Sequence, residues 1–128
     1  MTKIFFDGGL RPVGMELAVV VGGRMLVAQR LGPGTSMEAE WRALIAAVRL
    51  AVDLGIEDAV LLGDAAAVIA QASGAARVPV AYRPLAETFR GMPKPCRVRL
   101  RHVRRAQNLA GIGLERWHAG RVMFPPLP

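Results

Sequence analysis

Apolar positions fall in short runs near the start of the chain and in longer, helix-spaced patterns further on. "KIFFDGG" is a short buried strand closed by glycines. "MELAVVVGGRMLVAQRL" is two apolar runs split by Gly22-Gly23, a hairpin signal, so three antiparallel strands are predicted at the start. "GPGT" then breaks the sheet, and "SMEAEWRALIAAVRLAVDLG" carries the spacing of a long helix ending at Gly55. Thr35, with Glu38 three residues on, matches a capping box. "AVLLGD" follows as a fourth strand, and "AAAVIAQASG" as a short helix closed by Gly74. "VPVAYRPLAETFRGM" reads as a further helix with Pro84 near its first turn, "CRVRLRHV" as a fifth strand and "AQNLAGIGLERWHAG" as the last helix. The order β-β-β-α-β-α-α-β-α predicts an α/β domain whose mixed sheet has three antiparallel strands and then two parallel ones, returned by helical crossovers. A single domain is expected over residues 1–120. Residues 121–128, with "FPPLP", are expected to form a loose, proline-rich tail.

Composition narrows the class. Of 128 residues, 52% are hydrophobic and 21% charged, the balance of a folded domain able to bury a core. A single cysteine, Cys96, excludes an intrachain disulfide and a metal-binding cysteine pattern, and reads as a small residue at a strand start. "MTKIFFDGG" reaches an acid and two glycines too soon for a signal segment, and no apolar run could cross a bilayer, so a cytoplasmic protein is the expectation. The formal charge of +7 is unevenly placed, since the arginines and lysines between Arg90 and Arg105 are interrupted by no acid. Such a stretch favours a polyanion, because neutralising phosphates releases counterions.

The acids carry the chemistry. Glu57 and Asp58 are read as turn residues, and Glu16, Asp53 and Glu87 as solvent-facing or turn positions. Glu38 belongs to the helix start and is placed to pair with Arg42. Three acids stand where apolar residues are expected. Asp7 follows "KIFF", Asp64 follows "VLLG", and Glu40 shares a helix face with Ala43, Leu44, Ala47 and Ala51. An acid on a core face costs several kcal/mol unless it is paired, protonated or bound to a cation. If the three meet, repulsion raises at least one pKa, and a divalent cation with a preference for hard oxygen ligands removes that penalty. Two such ions can activate a water and stabilise the leaving oxygen of a phosphodiester. The alternative is three independent acids capping neighbouring turns.

Taken in order, "FFDGG", "TSMEAEWRALIAAVRLA", "LLGDAAAVIAQASG" and "RLRHVRRAQNLAGIGL" resemble type 1 ribonuclease H across nearly all of residues 3 to 116. That family has an Asp in a D-G-S or D-G-G context, a Glu in A-E-x-x-A-L and a second Asp before a V-x-x-Q helix. An H-V-x-R-x-x-N stretch then leads into the last helix. Asp7, Glu40 ("AEWRAL"), Asp64 ("GDAAAVIAQ") and His102, Arg105 and Asn108 ("HVRRAQN") occupy those positions. The resemblance implies a ribonuclease H-like fold, with a five-stranded mixed sheet flanked by helices. It implies cleavage of the RNA strand of an RNA·DNA hybrid with Mg2+ or Mn2+, the metals being held by Asp7, Glu40 and Asp64. It places Gly8, Gly9, His102, Arg105 and Asn108 against nucleic acid, which such a protein reads by backbone shape and 2′-hydroxyls. For Gly8 and Gly9, plain turn geometry is the other reading.

The chain departs from the family at several points. The fourth carboxylate, expected four residues after Asn108, is Ile112, which cannot ligate a metal. Ala65 replaces a small or polar residue after the second Asp, and residues 74 to 95 are too short for the Trp- and Lys-rich insertion some members carry. Glu115 lies one turn beyond Ile112 but about 300° round the helix, where an exposed Glu beside Arg116 is expected. His118 suits the helix C-terminus, and Trp41 and Trp117 suit packing. Gly111 and Gly113 leave open whether the last helix sits close to the sheet or frays. Two functions therefore stand side by side: a metal-dependent endonuclease with weakened activity, and a non-catalytic nucleic-acid-binding module of the same fold.

Overall fold

The computed structural model describes residues 1–127; Pro128 lies outside the described residues. Five strands form one sheet: β1 (Thr2–Arg11), β2 (Gly14–Val21), β3 (Arg24–Ala28), β4 (Asp58–Gly63) and β5 (Arg97–His102). Their spatial order is β3-β2-β1-β4-β5, with antiparallel pairing among the first three and parallel pairing of β4 with β1 and β5. Four helices cover it: α1 (Ser36–Asp53), α2 (Ala66–Ala72), α3 (Arg83–Gly91) and α4 (Leu109–His118). This is the expected ribonuclease H-like architecture. No helix of the described residues is long and apolar enough to cross a membrane.

Local chemistry sets the element ends. Gly22 and Gly23 both take positive φ, 58° and 73°, as a tight β2–β3 hairpin turn requires. The Thr35 side chain accepts from the Glu38 backbone N–H at 3.0 Å, which forms half of the capping box. The other half is absent, because the Glu38 carboxylate instead takes Arg42 Nε at 2.9 Å. The helix predicted from "VPVAYRPLAETFRGM" starts later, at Arg83, after a 3-10 turn over Val80–Tyr82. Pro84 has no N–H to donate back to Val80, so an α-helix cannot run through it from further upstream. Asp58 opens β4 rather than lying in the preceding turn.

One face of the sheet packs Ile4, Phe6, Val19 and Leu61 against Ala43, Leu44, Ala47 and Val48 of α1. On the other face, Ala110 and Leu114 of α4 cover Ala18, Val20 and Met25. β2 thus has a helix on each side, and every one of its residues is buried. Trp41 is wholly buried, its indole N–H donating to Gln71 Oε1 at 3.0 Å, with Phe89 edge-on to its ring. The described part of the tail is not loose. Met25 N–H donates to the Pro125 carbonyl at 2.9 Å, Leu127 N–H donates to the Met25 carbonyl at 3.2 Å, and Phe124 packs beside α4. β3 is an edge strand, and the tail satisfies its outward-facing backbone groups at Met25.

Candidate metal centre and catalytic cleft

Three elements deliver the acids to one point. Asp7 comes from the middle of β1, Asp64 from the residue after β4, and Glu40 from the first turns of α1. One carboxylate oxygen from each lies within 4.8 Å of the others. α1 can approach β1 this closely because residue 8 is glycine: a Cβ there would run into the Ala39 carbonyl. The Gly8 N–H donates to Glu40 Oε1 at 2.9 Å, which fixes that carboxyl over the strand. Gly8 therefore serves helix packing, and it also borders the cleft. Gly9 borders the cleft, with room for a Cβ at 3.6 Å from Glu16 Oε2.

The charges of this cluster are only partly compensated by the protein. Burial, followed by repulsion from Asp7, pushes Glu40 far above the usual carboxyl range. Burial also raises Asp7, to a lesser degree, against the opposing pull of Glu40's hydrogen bond and Arg105's charge. Glu40 Oε2 is buried with no hydrogen-bond partner. An orphaned acceptor, three converging carboxylates and pKa values raised first by burial and then by neighbouring acids fit a hard divalent cation, which would satisfy all three conditions.

α4 closes the other side. A Cβ on Gly111 would stand 3.4 Å from Asp7 Oδ2 and 3.8 Å from Asp64 Oδ2, and one on Gly113 would stand 2.8 Å from Met25 Sδ. Gly113 lets the helix sit close to β3, whereas a Cβ on Gly111 would make ordinary contact with the two acids, and the helix runs unbroken from Leu109 to His118. Asn108 departs from its expected place against nucleic acid, being 0% exposed. Its Oδ1 caps α4 by accepting from Ala110 N–H, while its Nδ2 donates to the Phe6 carbonyl at 3.0 Å and to Asp64 Oδ2 at 3.3 Å. Asn108 thus orients Asp64. His102 is exposed, with Nε2 facing the Asp64 carbonyl at 3.2 Å, and Arg105 is exposed on the cleft wall.

A family model described as reverse transcriptase-like matches residues 13–114. The folds of solved ribonuclease H1 proteins also superpose. LC11-RNase H1, isolated from compost and solved with an RNA/DNA hybrid, has a TM-score of 0.71 at 21% identity, over 85% of this chain and 89% of that one. The chain belongs to the ribonuclease H1-like family. The N-terminal RNase H domain of Rv2228c from Mycobacterium tuberculosis gives a TM-score of 0.65 at 28% identity, over 85% of this chain and 91% of that one. RNase H1 of the archaeon Halobacterium salinarum gives 0.63 at 28%, over 89% and 97%. No curated protein matches the sequence.

This ribonuclease H1-like chain has a cleft of about 880 Å³ over the acids, lined also by Arg11, Glu16, Ile112 and Glu115. Ile112 faces it where the resemblance expects a fourth carboxylate, and Glu115 reaches the same cleft from an exposed position. Glu16 is a correction: it is not solvent-facing but 3% exposed, because α4 covers β2. Burial alone would raise its pKa. Hydrogen bonds from His118, Gln29 and Arg11 outweigh that and hold it below the usual range. His118 Nε2 meets both Glu16 oxygens at 2.8 Å, so this histidine ties α4 to β2 and is not merely a helix-end charge. Trp117, 41% exposed, donates its indole N–H to Gln29 at the rim.

Proposed function

We propose that the protein is a metal-dependent endonuclease of the ribonuclease H type, cleaving the RNA strand of RNA·DNA hybrids with Mg2+ or Mn2+. The observation that carries this is the convergence of Asp7, Glu40 and Asp64, with Glu40 Oε2 unpartnered, on the floor of an open cleft. The hybrid in the LC11 structure and the 28% identity to two ribonuclease H proteins support the substrate class. Divalent cations held by the three acids supply charge neutralisation and Lewis acidity to a phosphodiester. Asn108 keeps Asp64 in place, Gly8 N–H keeps Glu40 in place, and Arg105 adds positive charge for the phosphate path. Ile112 offers no oxygen, so metal held on that side of the cleft is weakened and turnover is slowed.

The isoleucine also favours the second reading, a nucleic-acid-binding module that keeps the fold without the reaction. A labelled RNA·DNA hybrid incubated in magnesium and then in manganese, beside the Asp7→Asn variant, separates them. Cleavage by the wild type that is lost in Asp7→Asn is the expected result. No product in either metal leaves the binding module. Equal product from both proteins removes the site assignment.

A further inference from the structure

The arginines of β5 are arranged in a way the cleft does not explain. In the sheet register, Arg97 stands beside Asp58, Arg99 beside Val60 and Arg101 beside Leu62, and Val60 stands beside Lys3 of β1. Alternate residues of a strand share a face, so Arg97, Arg99 and Arg101 form one row about 13 Å long. Lys3 flanks it. This is the face that carries Asp7, and Asp64 follows two residues after Leu62, so the row runs from the metal centre down the sheet. α4 packs over β1, β2 and β3, and its packing leaves β4 and β5 to these side chains. Val60 and Leu62 are 2% and 7% exposed. No helix lies above them, and their neighbours across the register on β5 are these arginines, whose long stems suit covering apolar surface while the charged heads stay exposed. The Arg99 guanidinium also donates to Met1 Sδ at 3.4 Å.

All four cations are exposed, and among the described residues none of them makes an ion pair. Charge on β5 alone would serve to protect an edge strand from pairing. Lys3 does not fit that purpose, because β1 is the central strand. The patch is a row of three arginines on β5 with Lys3 across Val60 from Arg99, bordered by α4 on one flank and the sheet edge on the other. The aromatic beside it among the described residues, Phe5 next to Leu62, is half-buried and offers no open ring face. These features fit a single phosphate backbone gripped without regard to sequence.

We infer that Lys3, Arg97, Arg99 and Arg101 form a track for a single-stranded extension leaving the hybrid at the cleft. This rests on the hybrid-cleaving function proposed above. The track makes the enzyme prefer hybrids that carry unpaired flanks over blunt ones.

The test compares binding of a blunt hybrid with hybrids bearing a single-stranded extension at either end, in EDTA so that no strand is cut. The wild type is expected to bind one extended hybrid about tenfold more tightly than the blunt one, with a steeper salt dependence. The triple variant Arg97→Gln, Arg99→Gln, Arg101→Gln keeps part of each aliphatic stem. It should bind the blunt hybrid normally and lose the gain, its salt slope for the extended hybrid falling by roughly 2, at about 0.7 per lost contact on a single strand. Arg99→Gln alone, which leaves two arginines over Val60 and Leu62, should lose roughly 0.7. The track is overturned if neither extension strengthens binding, or if the triple variant keeps the gain while melting as the wild type does. Displacement of the extension by poly-glutamate as readily as by an oligonucleotide also overturns it, as a nucleic-acid site. An isolated single strand bound through the three arginines by a protein that cleaves no hybrid leaves the track standing and removes the nuclease reading.

Discussion

Two buried carboxyl sites share one cleft and solve the same problem in opposite ways. Glu16 is surrounded by fitted donors, with His118 at 2.8 Å, Arg11 at 3.3 Å and Gln29 at 3.4 Å, and its pKa is held down. Glu40, close by, has one backbone donor, an orphan oxygen and two acids for neighbours, and its pKa is pushed up. A buried charge whose donors are all supplied by the chain is a finished piece of structure. One that the fold crowds with its own kind is incomplete until a cation arrives. The pair sets an acid that the fold completes beside one that it leaves open to a cation.

The contrast can be broken most sharply at Asp7. Asp7→Asn should lower hybrid cleavage roughly 10³-fold, the equivalent of several kcal/mol of lost metal stabilisation. The same change removes a buried negative charge, so the metal-free variant should melt higher than wild type. Loss of activity accompanied by loss of stability would mean that Asp7 is scaffolding. Ile112→Asp adds a carboxylate to the wall that lacks one, and should raise the magnesium-dependent rate about tenfold. It should also lower the metal-free melting temperature, since it worsens the crowding. A rate left unchanged would show that Ile112 is not what limits the site.

Glu16→Gln probes the other member. It keeps the shape but removes the charge that three donors converge upon, and should cost about 1–2 kcal/mol in urea denaturation. That is less than a fully buried pair would lose, because Arg11 and His118 are partly in water. Cleavage should change by less than tenfold. A loss as large as that of Asp7→Asn would place Glu16 in the machinery and erase the distinction.

Most of this molecule is legible from residue order. Glycine pairs, caps and apolar spacing mark each strand and helix, because those features act locally. The triad is legible because each acid interrupts an apolar surface. The same rule applies to Glu16, which alternates with Ala18 and Val20 in "GMELAVVV", yet as the lone acid of its strand, close to the turn before it, it resembles a turn residue. Only the packing of α4 over β2 buries it, and that contact spans about a hundred positions of sequence. Asn108 shows the same limit. Its place in the motif is visible, but its Nδ2 reaches back to Phe6 on another strand, and this makes it a positioning residue. The docking of the tail on β3 is equally non-local, since prolines speak against a helix and say nothing of an open strand edge.

The smallest effect discriminates best, because the two sites predict opposite signs. An acid whose pKa is raised on folding contributes stability that is full below its unfolded pKa and lost as pH rises through its folded one. For Glu40 that window runs from 4.5 to about 9, and for Asp7 from 3.8 to about 6. Glu16, lowered on folding, contributes stability above its usual 4.5 that is lost as pH falls through its folded value. Metal-free protein should therefore lose melting temperature as pH rises through these windows by way of Asp7 and Glu40, and as pH falls below 4.5 by way of Glu16. Glu40→Gln should flatten only the alkaline fall, and Glu16→Gln only the acid one. Magnesium competes with the proton held on Glu40, so its stabilising shift should grow by a few degrees between pH 6 and pH 9. A shift of the same size at both values would mean that the cation binds elsewhere, and that the crowded acids on β1, β4 and α1 are no more a metal site than Glu16 is.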